Sequence, residues 1–209
     1  MIDTILKYFP ELTDCQRNQL QTMMQLYPEW NARINVISRK DIDNLEINHL
    51  LHSLSIAKFI QFTPGTKILD LGCGGGLPGL PLAVMFPECK FHLVDRVGKK
   101  IRVATEIAEA CCLDNVTCQH GDSSECQRNA YDFVVSRAVM NLPELVKISR
   151  PHISHTNTNA YPNGLITLKG GELTEELARY KDKTLLQELH TWFPDIPFFA
   201  TKLLTYTPL

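Results

Sequence analysis

The chain has 209 residues, of which 44% are hydrophobic and 21% are charged, and its formal net charge is −2 at pH 7. This composition is typical of a globular protein with a buried core, and it excludes a disordered or fibrous chain. The length allows one domain of roughly 150 residues with a modest extension and excludes a large multidomain protein. The small net charge gives no global sign of nucleic-acid binding and leaves only a local basic surface open.

Two features of the chain bear on its compartment. No stretch reaches the roughly 18 apolar residues of a membrane span, and the start at Met1 lacks the basic, apolar and cleavage segments of a signal peptide. The seven cysteines are odd in number and form no C-x-x-C pair with metal-ligand spacing. We therefore expect a cytoplasmic protein with reduced thiols, without membrane association and without a metal site.

Residues 1–63 are expected to form a helical extension. Apolar side chains recur at steps of three and four over 12–34, with Thr13 or Asp14 as a candidate cap and an interruption near Pro28. The same spacing over 42–60 predicts a second helix, which ends before a Thr-Pro-Gly turn.

Residues 64–209 are expected to form an α/β domain. Short apolar runs alternate with longer helical stretches, which is typical of a mainly parallel sheet with helices on both faces. The predicted strands are 67–71, 91–95, 116–119, 131–135 and 164–168. The predicted helices are 79–86, 98–112, 141–152 and 173–189, and antiparallel edge strands are expected over 198–206.

The strongest local signal is a glycine-rich turn directly after the first predicted strand. Five glycines fall within the eight positions 72–79. Glycine is required where the backbone takes positive φ or where a ligand approaches without Cβ atoms in the way. The spacing Gly74-x-Gly76-x-x-Gly79, with Asp95 about 20 residues later, matches a dinucleotide fingerprint, so the motif alone leaves NAD and S-adenosylmethionine as alternatives.

Acidic residues at the ends of successive strands favour S-adenosylmethionine. Asp70 precedes the glycine turn, where it would repel a pyrophosphate but suits an ammonium group. Asp95 is placed to bind a ribose, and Asp122 follows the third strand, where a carboxylate or a nearby amide can contact adenine. Because the carboxyl ends of parallel strands meet at one edge of a sheet, the three acids predict one ligand crevice.

Several motifs, taken together, closely resemble those of the glucose-inhibited division protein B family. They are DLGCGGGLPGLPL (70–82), VDRVGKK (94–100), VSRA (135–138), LKG (168–170), WN (30–31), INVISR (34–39) and HLLHS (49–53). The resemblance spans nearly the whole chain, and it implies a Rossmann-like class I S-adenosylmethionine-dependent methyltransferase. The implied reaction is methyl transfer to N7 of one guanine in the decoding region of 16S ribosomal RNA. The chain departs from the family pattern at Asn48 and His52, where arginine and aspartate are common.

The resemblance also implies roles for individual residues. It places Gly72 and Leu77 at the cofactor, Asp95 at the ribose, the segment 122–124 at the adenine, and Arg137 on the methyl-transfer side. With the glycine and acid patterns included, the expected cofactor-binding set is Asp70, Gly72, Gly74, Gly76, Leu77, Asp95, Asp122, Ser123, Ser124 and Arg137.

Two cations at strand ends are the candidate catalytic residues. Arg137 follows an apolar strand and has the donor geometry to bind a guanine edge or a phosphate, with a salt bridge to Asp132 or Glu144 as the alternative. Lys169 follows the next strand and suits an RNA phosphate, with a solvated surface lysine as the alternative. His49 is expected to be a packed or capping histidine without a catalytic role.

A local basic surface is predicted beside the crevice. The candidate RNA-binding residues are Arg39, Arg96, Lys99, Lys100 and Arg102, and a plain solvated helix face is the alternative. The partner implied by the resemblance is 16S ribosomal RNA, either free, in the small subunit or in an assembly intermediate, with residues 1–63 as a cap on the RNA side. No obligate protein partner is expected.

The sequence lacks the motifs that are typical of methyl transfer to other base atoms, which agrees with the implied reaction at N7. Guanine N7 has a lone pair and no proton to lose, so its methylation requires alignment more than a general base. The chain has neither the Asn/Asp-Pro-Pro-aromatic tetrapeptide typical of exocyclic amine methylation nor a Pro-Cys nucleophile for cytosine C5. The remaining alternatives are a small-molecule or protein methyltransferase, a nonenzymatic S-adenosylmethionine-binding or RNA-binding module, and, less favoured because of Asp70, an NAD-dependent oxidoreductase.

Overall fold

The computed structural model describes residues 1–137, 140–171, 173–177, 180 and 182–209. It begins with two helices, α1 (Asp3–Tyr8) and α2 (Asp14–Arg33). Of the two candidate caps, Thr13 caps α2, because its side chain accepts from the Gln16 amide while the Gln16 side chain accepts from the Thr13 amide. The predicted interruption near Pro28 is wrong: α2 continues through it, held against the core by the fully buried Met23 and Tyr27.

The second predicted helix is present as three consecutive helical segments. A 3₁₀ turn at Ile42–Asn44 leads into a π-helix at Leu45–Leu51, which continues as α3 (His52–Phe59). Leu50, Leu51 and Leu54 bury the apolar face completely. The π-helix is a rare form that often occurs at functional sites, and this one carries Asn48 and His49.

A seven-stranded sheet occupies the centre of the molecule. The strands are β1 (Lys67–Leu71), β2 (Lys90–Asp95), β3 (Val116–His120), β4 (Phe133–Arg137), β5 (Gly164–Gly170), β6 (Leu185–Glu188) and β7 (Lys202–Pro208). Their order is β3-β2-β1-β4-β5-β7-β6, with β1 to β5 parallel and β7 antiparallel to β5 and β6. The chain crosses from β3 to β4 on the other side of β1, so the carboxyl ends of β1 and β4 flank the point where open α/β sheets bind ligands.

Helices cover both faces of the sheet, as expected. They are α4 (Gly79–Met85), α5 (Gly98–Ala110), α6 (Leu142–Ser149) and α7 (Thr174–Leu177). Ile68 of β1 lies in one apolar cluster, whereas Leu69 and Leu71 lie in another with α6, as a strand period of two requires. The first cluster includes the helices before β1 together with α4 and α5. Within the described ranges, no helix is both long and apolar enough to cross a membrane.

The structure corrects the prediction for the last third of the chain. The helix predicted over 173–189 is wrong, because α7 is short and β6 is a strand; residues 178, 179 and 181 lie outside the described residues. Leu185 and Leu186, within the range of the predicted helix, are exposed, and their backbone pairs with β7. The segment 198–206 starts as a 3₁₀ turn, and its strand lies between β5 and β6 and not at the edge.

Candidate active site

The glycine-rich loop joins the end of β1 to the start of α4, and its glycines serve different purposes. Gly74 has φ +56°, and a Cβ added there would meet nothing within 4 Å, so its face is open. A Cβ on Gly75 would lie 2.8 Å from the Cβ of Val36, and one on Gly79 would lie 2.8 Å from a Leu93 methyl group. Protein therefore closes the loop at these two positions and at Gly76, where a Cβ would lie 2.4 Å from Leu80, whereas the loop is open to a ligand at Gly74.

Asp95 ends β2 and holds the glycine loop in place. Its Oδ2 accepts a hydrogen bond from the Gly74 amide at 2.8 Å, and its Oδ1 accepts one from the Val97 amide at 2.8 Å. Each carboxylate oxygen has a second lone pair that stays available to a ligand. The carboxylate is thus fixed by the backbone with acceptor capacity to spare, which suits a pair of ribose hydroxyls.

Two cavities meet at Asp95 and Gly72. The first, which we call the α6 cavity, has a volume of about 190 Å³. Its lining residues are Leu71, Gly72, Val94, Asp95, Arg96, Gly121, Ser123, Met140, Leu145 and Ile148. Most of its wall is apolar, with polar atoms at one side, which is the environment that a flat heterocyclic base attached to a sugar requires.

The second cavity, which we call the Arg137 cavity, has a volume of about 330 Å³ and lies on the other side of the glycine loop. Its lining residues are Val36, Gly72, Cys73, Gly74, Gly75, Leu77, Asp95, Lys100 and Arg137. It contains the cationic side chains of Lys100 and Arg137 and the Asp95 carboxylate. It is therefore suited to a polar or anionic acceptor that lies beside a ligand in the α6 cavity.

Asp70 lies beneath the glycine loop and lines neither cavity. The carboxyl is fully buried, its Oδ2 accepts from the Gly79 amide at 2.7 Å, and its Oδ1 has no hydrogen-bond partner. Burial raises the pKa of Asp70 to about 7, although the bond from Gly79 and the charge of Arg137 act in the opposite direction. In the protein alone, Asp70 fastens the start of α4 to β1, and its contact with a cofactor ammonium stays a prediction.

Arg137 ends β4 and projects into the Arg137 cavity. Its Nη1 donates to the Asn48 carbonyl at 3.3 Å, and its Nη2 donates to His49 Nδ1 at 3.2 Å. The anticipated alternative partners, Asp132 and Glu144, are not the groups that it contacts. Burial lowers the pKa of Arg137 from its usual value, while the nearby Tyr27 and Asp70 oppose that change.

The segment predicted to contact adenine is only partly in the α6 cavity. Ser123 lines it, whereas Asp122 and Ser124 do not. Asp122 caps a 3₁₀ turn by accepting from the Ser124 amide, and its carboxylate forms an ion pair with Arg96. These bonds, together with the Arg96 charge, lower the pKa of Asp122. An adenine contact by Asp122 or Ser124 therefore stays a prediction.

Lys169 lies within β5, and its ammonium is engaged by the protein. It donates to the Met140 carbonyl and forms an ion pair with Glu176 at 2.9 Å, and the residue is only 8% exposed. The alternative of a solvated surface lysine is therefore wrong. Because Met140 lines the α6 cavity, Lys169 contributes to the shape of that cavity through its bond to Met140. Its contact with an RNA phosphate stays a prediction.

Two of the predicted basic residues line a cavity, Arg96 in the α6 cavity and Lys100 in the Arg137 cavity. Arg39, Arg96, Lys99 and Arg102 are exposed. The guanidinium carbons of Arg33 and Arg102 lie 5.8 and 6.0 Å from the centroid of the Trp30 ring. Trp30 therefore holds one arginine from α2 and one from α5 together by cation–π contacts.

Three residues of the N-terminal region, none of them predicted as site residues, help to build the Arg137 cavity. The Asn31 carboxamide accepts from the amides of Val36 and Ile37, each at 2.9 Å, and so places Val36 against Gly75. The Tyr27 hydroxyl donates to the Gly75 carbonyl at 3.0 Å. Asn31 and Val36 fall within the motifs that resemble the family, and this was the sequence feature that could have identified them as site residues. Their contacts with the glycine loop depend on the fold.

The residues fit S-adenosylmethionine better than a dinucleotide. The α6 cavity suits an adenine, Asp95 suits its ribose, and the open face of Gly74 allows close approach of the methionine portion. Asp70 has a buried carboxyl oxygen, Oδ1, without a hydrogen-bond partner, and a nearby ammonium group would favour its charged form whereas a pyrophosphate would disfavour it.

Comparison with solved structures identifies the fold. A S-adenosylmethionine-dependent methyltransferase from Aquifex aeolicus has a TM-score of 0.55 at 15% identity and covers 82% of this chain and 98% of that one. Another from Thiobacillus denitrificans, in complex with S-adenosylhomocysteine, has a TM-score of 0.54 at 13% identity and covers 71% of each chain. The fold is thus the Rossmann-like fold of S-adenosylmethionine-dependent methyltransferases, as expected.

Sequence comparison identifies the family. The model of the family described as rRNA small subunit methyltransferase G matches residues 16–196. Proteins called ribosomal RNA small subunit methyltransferase G are similar to this chain over its length: 56% identical in Bacteroides thetaiotaomicron, covering 100% of both chains, and 47% in Christiangramia forsetii, covering 100% and 97%. The chain belongs to this family, and the predicted family resemblance is confirmed. Membership also confirms that the chain is a methyltransferase and that its cofactor is S-adenosylmethionine.

Proposed function

We propose that the protein transfers a methyl group from S-adenosylmethionine to N7 of one guanine in 16S ribosomal RNA. The observation that carries this proposal is the meeting of the two cavities at Asp95 and Gly72, one mainly apolar and one containing Arg137 and Lys100. The α6 cavity would take the adenosine of the cofactor, and the Arg137 cavity would take its methionine portion and the guanine. The names of the relatives support ribosomal RNA of the small subunit as the acceptor.

The chemistry requires little from the protein beyond alignment. The cofactor supplies an electrophilic methyl group on a sulfonium. Guanine N7 supplies the lone pair and has no proton to lose, so no side chain needs to act as a base. Arg137 would donate toward the acceptor from the wall of its cavity, which suits a hydrogen bond to O6 of guanine and leaves the N7 lone pair free for the methyl group.

The expected cofactor residues divide into two groups in this proposal. Lining positions support direct contact for Gly72, Gly74, Leu77, Asp95, Ser123 and Arg137. The remaining residues, Asp70, Gly76, Asp122 and Ser124, act from outside the cavities by shaping the glycine loop, the start of α4 and the turn after β3. Lys169 acts in the same indirect way through Met140.

The exposed basic residues would bind phosphates of the RNA, and the N-terminal extension 1–63 would cover the acceptor on that side. Arg39 comes from the extension, whereas Lys99 and Arg102 come from α5, and the arginine pair on Trp30 joins the two elements. Val36 of the extension already forms part of the cavity wall. We place the reaction in the cytoplasm, where the small subunit is available.

Neutralising two cations on α5 should change how RNA binding depends on salt. In the double variant Lys99→Gln/Arg102→Gln, we expect weaker binding to 16S RNA and a plot of log affinity against log salt that is less steep by about 0.7–0.9 for each phosphate that is no longer neutralised. Cofactor affinity should stay unchanged, since neither side chain lines a cavity. Filter binding at several salt concentrations measures the slope.

The matched control removes two exposed lysines from the opposite edge of the sheet. Lys67 and Lys90 begin β1 and β2, at the amino ends of the strands. The double variant Lys67→Gln/Lys90→Gln loses the same charge and should keep the wild-type slope. Equal slopes for both double variants would mean that α5 does not contact the RNA.

The direct test is methyl transfer from labelled S-adenosylmethionine. Acceptors would be free 16S RNA, partly assembled particles and small subunits, each isolated from cells that lack the modification, followed by mapping of the labelled atom. We expect label on N7 of a single guanine in at least one acceptor. Label on another atom, or none on any ribosomal acceptor while cofactor still binds, would contradict the proposal and direct the search to a small molecule or a protein.

A further inference from the structure

A chain of polar contacts leads from Arg137 to the N-terminal extension. His49 Nε2 lies 2.6 Å from Asp41 Oδ2, and the other carboxylate oxygen of Asp41 accepts from the Asn48 side chain at 2.6 Å. On its other ring nitrogen, His49 contacts Arg137 Nη2 at 3.2 Å. Neither Asp41 nor His49 lines the Arg137 cavity, so both reach the site only through Arg137.

The donors and acceptors fix one tautomer of His49. A guanidinium nitrogen can only donate, so His49 Nδ1 must carry the lone pair and Nε2 must carry the proton. The Nε2 proton then points at the Asp41 carboxylate, which accepts it. Although burial favours the neutral acid, hydrogen bonds from Asn48 and His49 lower the pKa of Asp41, so it is charged at neutral pH.

The surroundings keep His49 neutral, as this arrangement requires. Burial and the positive charge of Arg137 lower the pKa of His49 to about 4, and the Asp41 carboxylate only partly offsets them. A protonated imidazole would present an N–H group to Arg137 and lose the bond. The neutral ring therefore accepts from Arg137 throughout the physiological pH range.

We propose that Asp41 and His49 form a positioning pair that holds the Arg137 guanidinium against the methyl-transfer cavity. His49 Nδ1 and the Asn48 carbonyl take two of the five N–H groups of Arg137 and leave the others for the acceptor. The π-helix at Leu45–Leu51 presents both acceptors on the side that faces β4. The pair is not a proton relay, because His49 has no contact with the cavity and N7 has no proton to lose.

This inference rests on the proposed methyl transfer to guanine. The test distinguishes failure of the positioning role from failure of the proposed function. His49→Leu removes the acceptor, whereas His49→Asn keeps an oxygen near the position of Nδ1. We expect kcat for 16S RNA to fall by about 10- to 100-fold in His49→Leu, since small displacements of positioning groups have effects of this size. His49→Asn should recover most of that loss, and in both variants S-adenosylmethionine affinity by calorimetry should change less than kcat, because the Arg137 charge stays in the cavity.

The control is a second buried histidine one turn away. His52 packs against Phe198 and Phe199, and its Nε2 has no hydrogen-bond partner. His52→Leu removes a comparable side chain and should keep the wild-type kcat. In an Arg137→Lys background, His49→Leu should cause little further loss, because the group that it positions is gone.

A measurement without turnover completes the test. In ¹⁵N-labelled wild type, the ring nitrogen shifts of His49 at pH 7 should report a protonated Nε2 and an unprotonated Nδ1, with or without methylation activity. A protonated Nδ1, equal kcat losses in His49→Leu and His49→Asn, or additive losses with Arg137→Lys would each overturn the positioning role. Wild-type enzyme that methylates no ribosomal acceptor would overturn the proposed function while the tautomer result stands on its own.

Discussion

Replacing Asp95 by alanine should weaken S-adenosylmethionine binding by about 10- to 100-fold, the effect of losing hydrogen bonds to a charged group. Two causes act together. The variant loses the proposed acceptor for the ribose, and it releases the amides of Gly74 and Val97 that the carboxylate holds at 2.8 Å. Isothermal titration calorimetry with the cofactor and no RNA measures the effect directly.

Asp132 provides the matched control for Asp95. It lies before β4 at the amino end of the sheet. Like Asp95, it binds a backbone amide through its carboxylate, because its Oδ2 accepts from the Lys67 amide at 2.8 Å. Asp132→Ala should leave cofactor affinity within about twofold of wild type, because it touches neither cavity. Wild-type affinity in Asp95→Ala would remove Asp95 from the cofactor site.

The second large effect concerns Asp70 and the stability of the cofactor-free protein. Because burial raises the pKa of Asp70 from 3.8 to about 7, the folded protein binds more protons than the unfolded chain between those values. Stability must therefore fall as pH rises from about 4 to about 7, by roughly 4 kcal/mol at most from this group. The loss of stability is absent below about pH 3.8, where Asp70 is protonated in both states, and complete above about pH 7, where it is ionised in both.

Asp70→Asn removes this titration and keeps an oxygen that can accept from the Gly79 amide. Relative to wild type, the free energy of unfolding of the variant should rise by roughly 2–4 kcal/mol between pH 4.5 and pH 8. Urea denaturation at several pH values measures this difference, and Asp132→Asn controls for the loss of a carboxylate elsewhere. A constant difference between Asp70→Asn and wild type across this range would contradict the raised pKa.

Much of the α/β core was predictable from sequence because local pattern and tertiary environment agree there. In β1, alternate residues face opposite clusters, and the four apolar and acidic residues 68–71 lead straight into the glycine loop. The contact between Gly74 and Asp95 follows from this local order, since strand, turn and carboxylate are placed by the parallel sheet. A cap of α2 at Thr13 or Asp14 was predictable for the same reason.

The remainder depends on contacts between distant parts of the chain. Arg137 and His49 are 88 positions apart and meet only when β4 lies beside the π-helix, so no spacing rule connects them. Burial of Lys169 and its ion pair with Glu176 require α7 to fold over β5. The strand character of β6 comes from its ladder with β7, a partner that periodicity within 173–189 cannot reveal.

The position of β7 between β5 and β6 sets an order on assembly during translation. β6 leaves the ribosome before β7, yet every ladder contact of β6 in this sheet is with β7. Until β7 emerges, the nascent chain carries an unpaired segment with Leu185 and Leu186 exposed, and such segments are prone to aggregate. The parallel strands β1 to β5 have no such delay, so the nascent protein passes through a stage in which these five strands are paired and the far edge of the sheet is open.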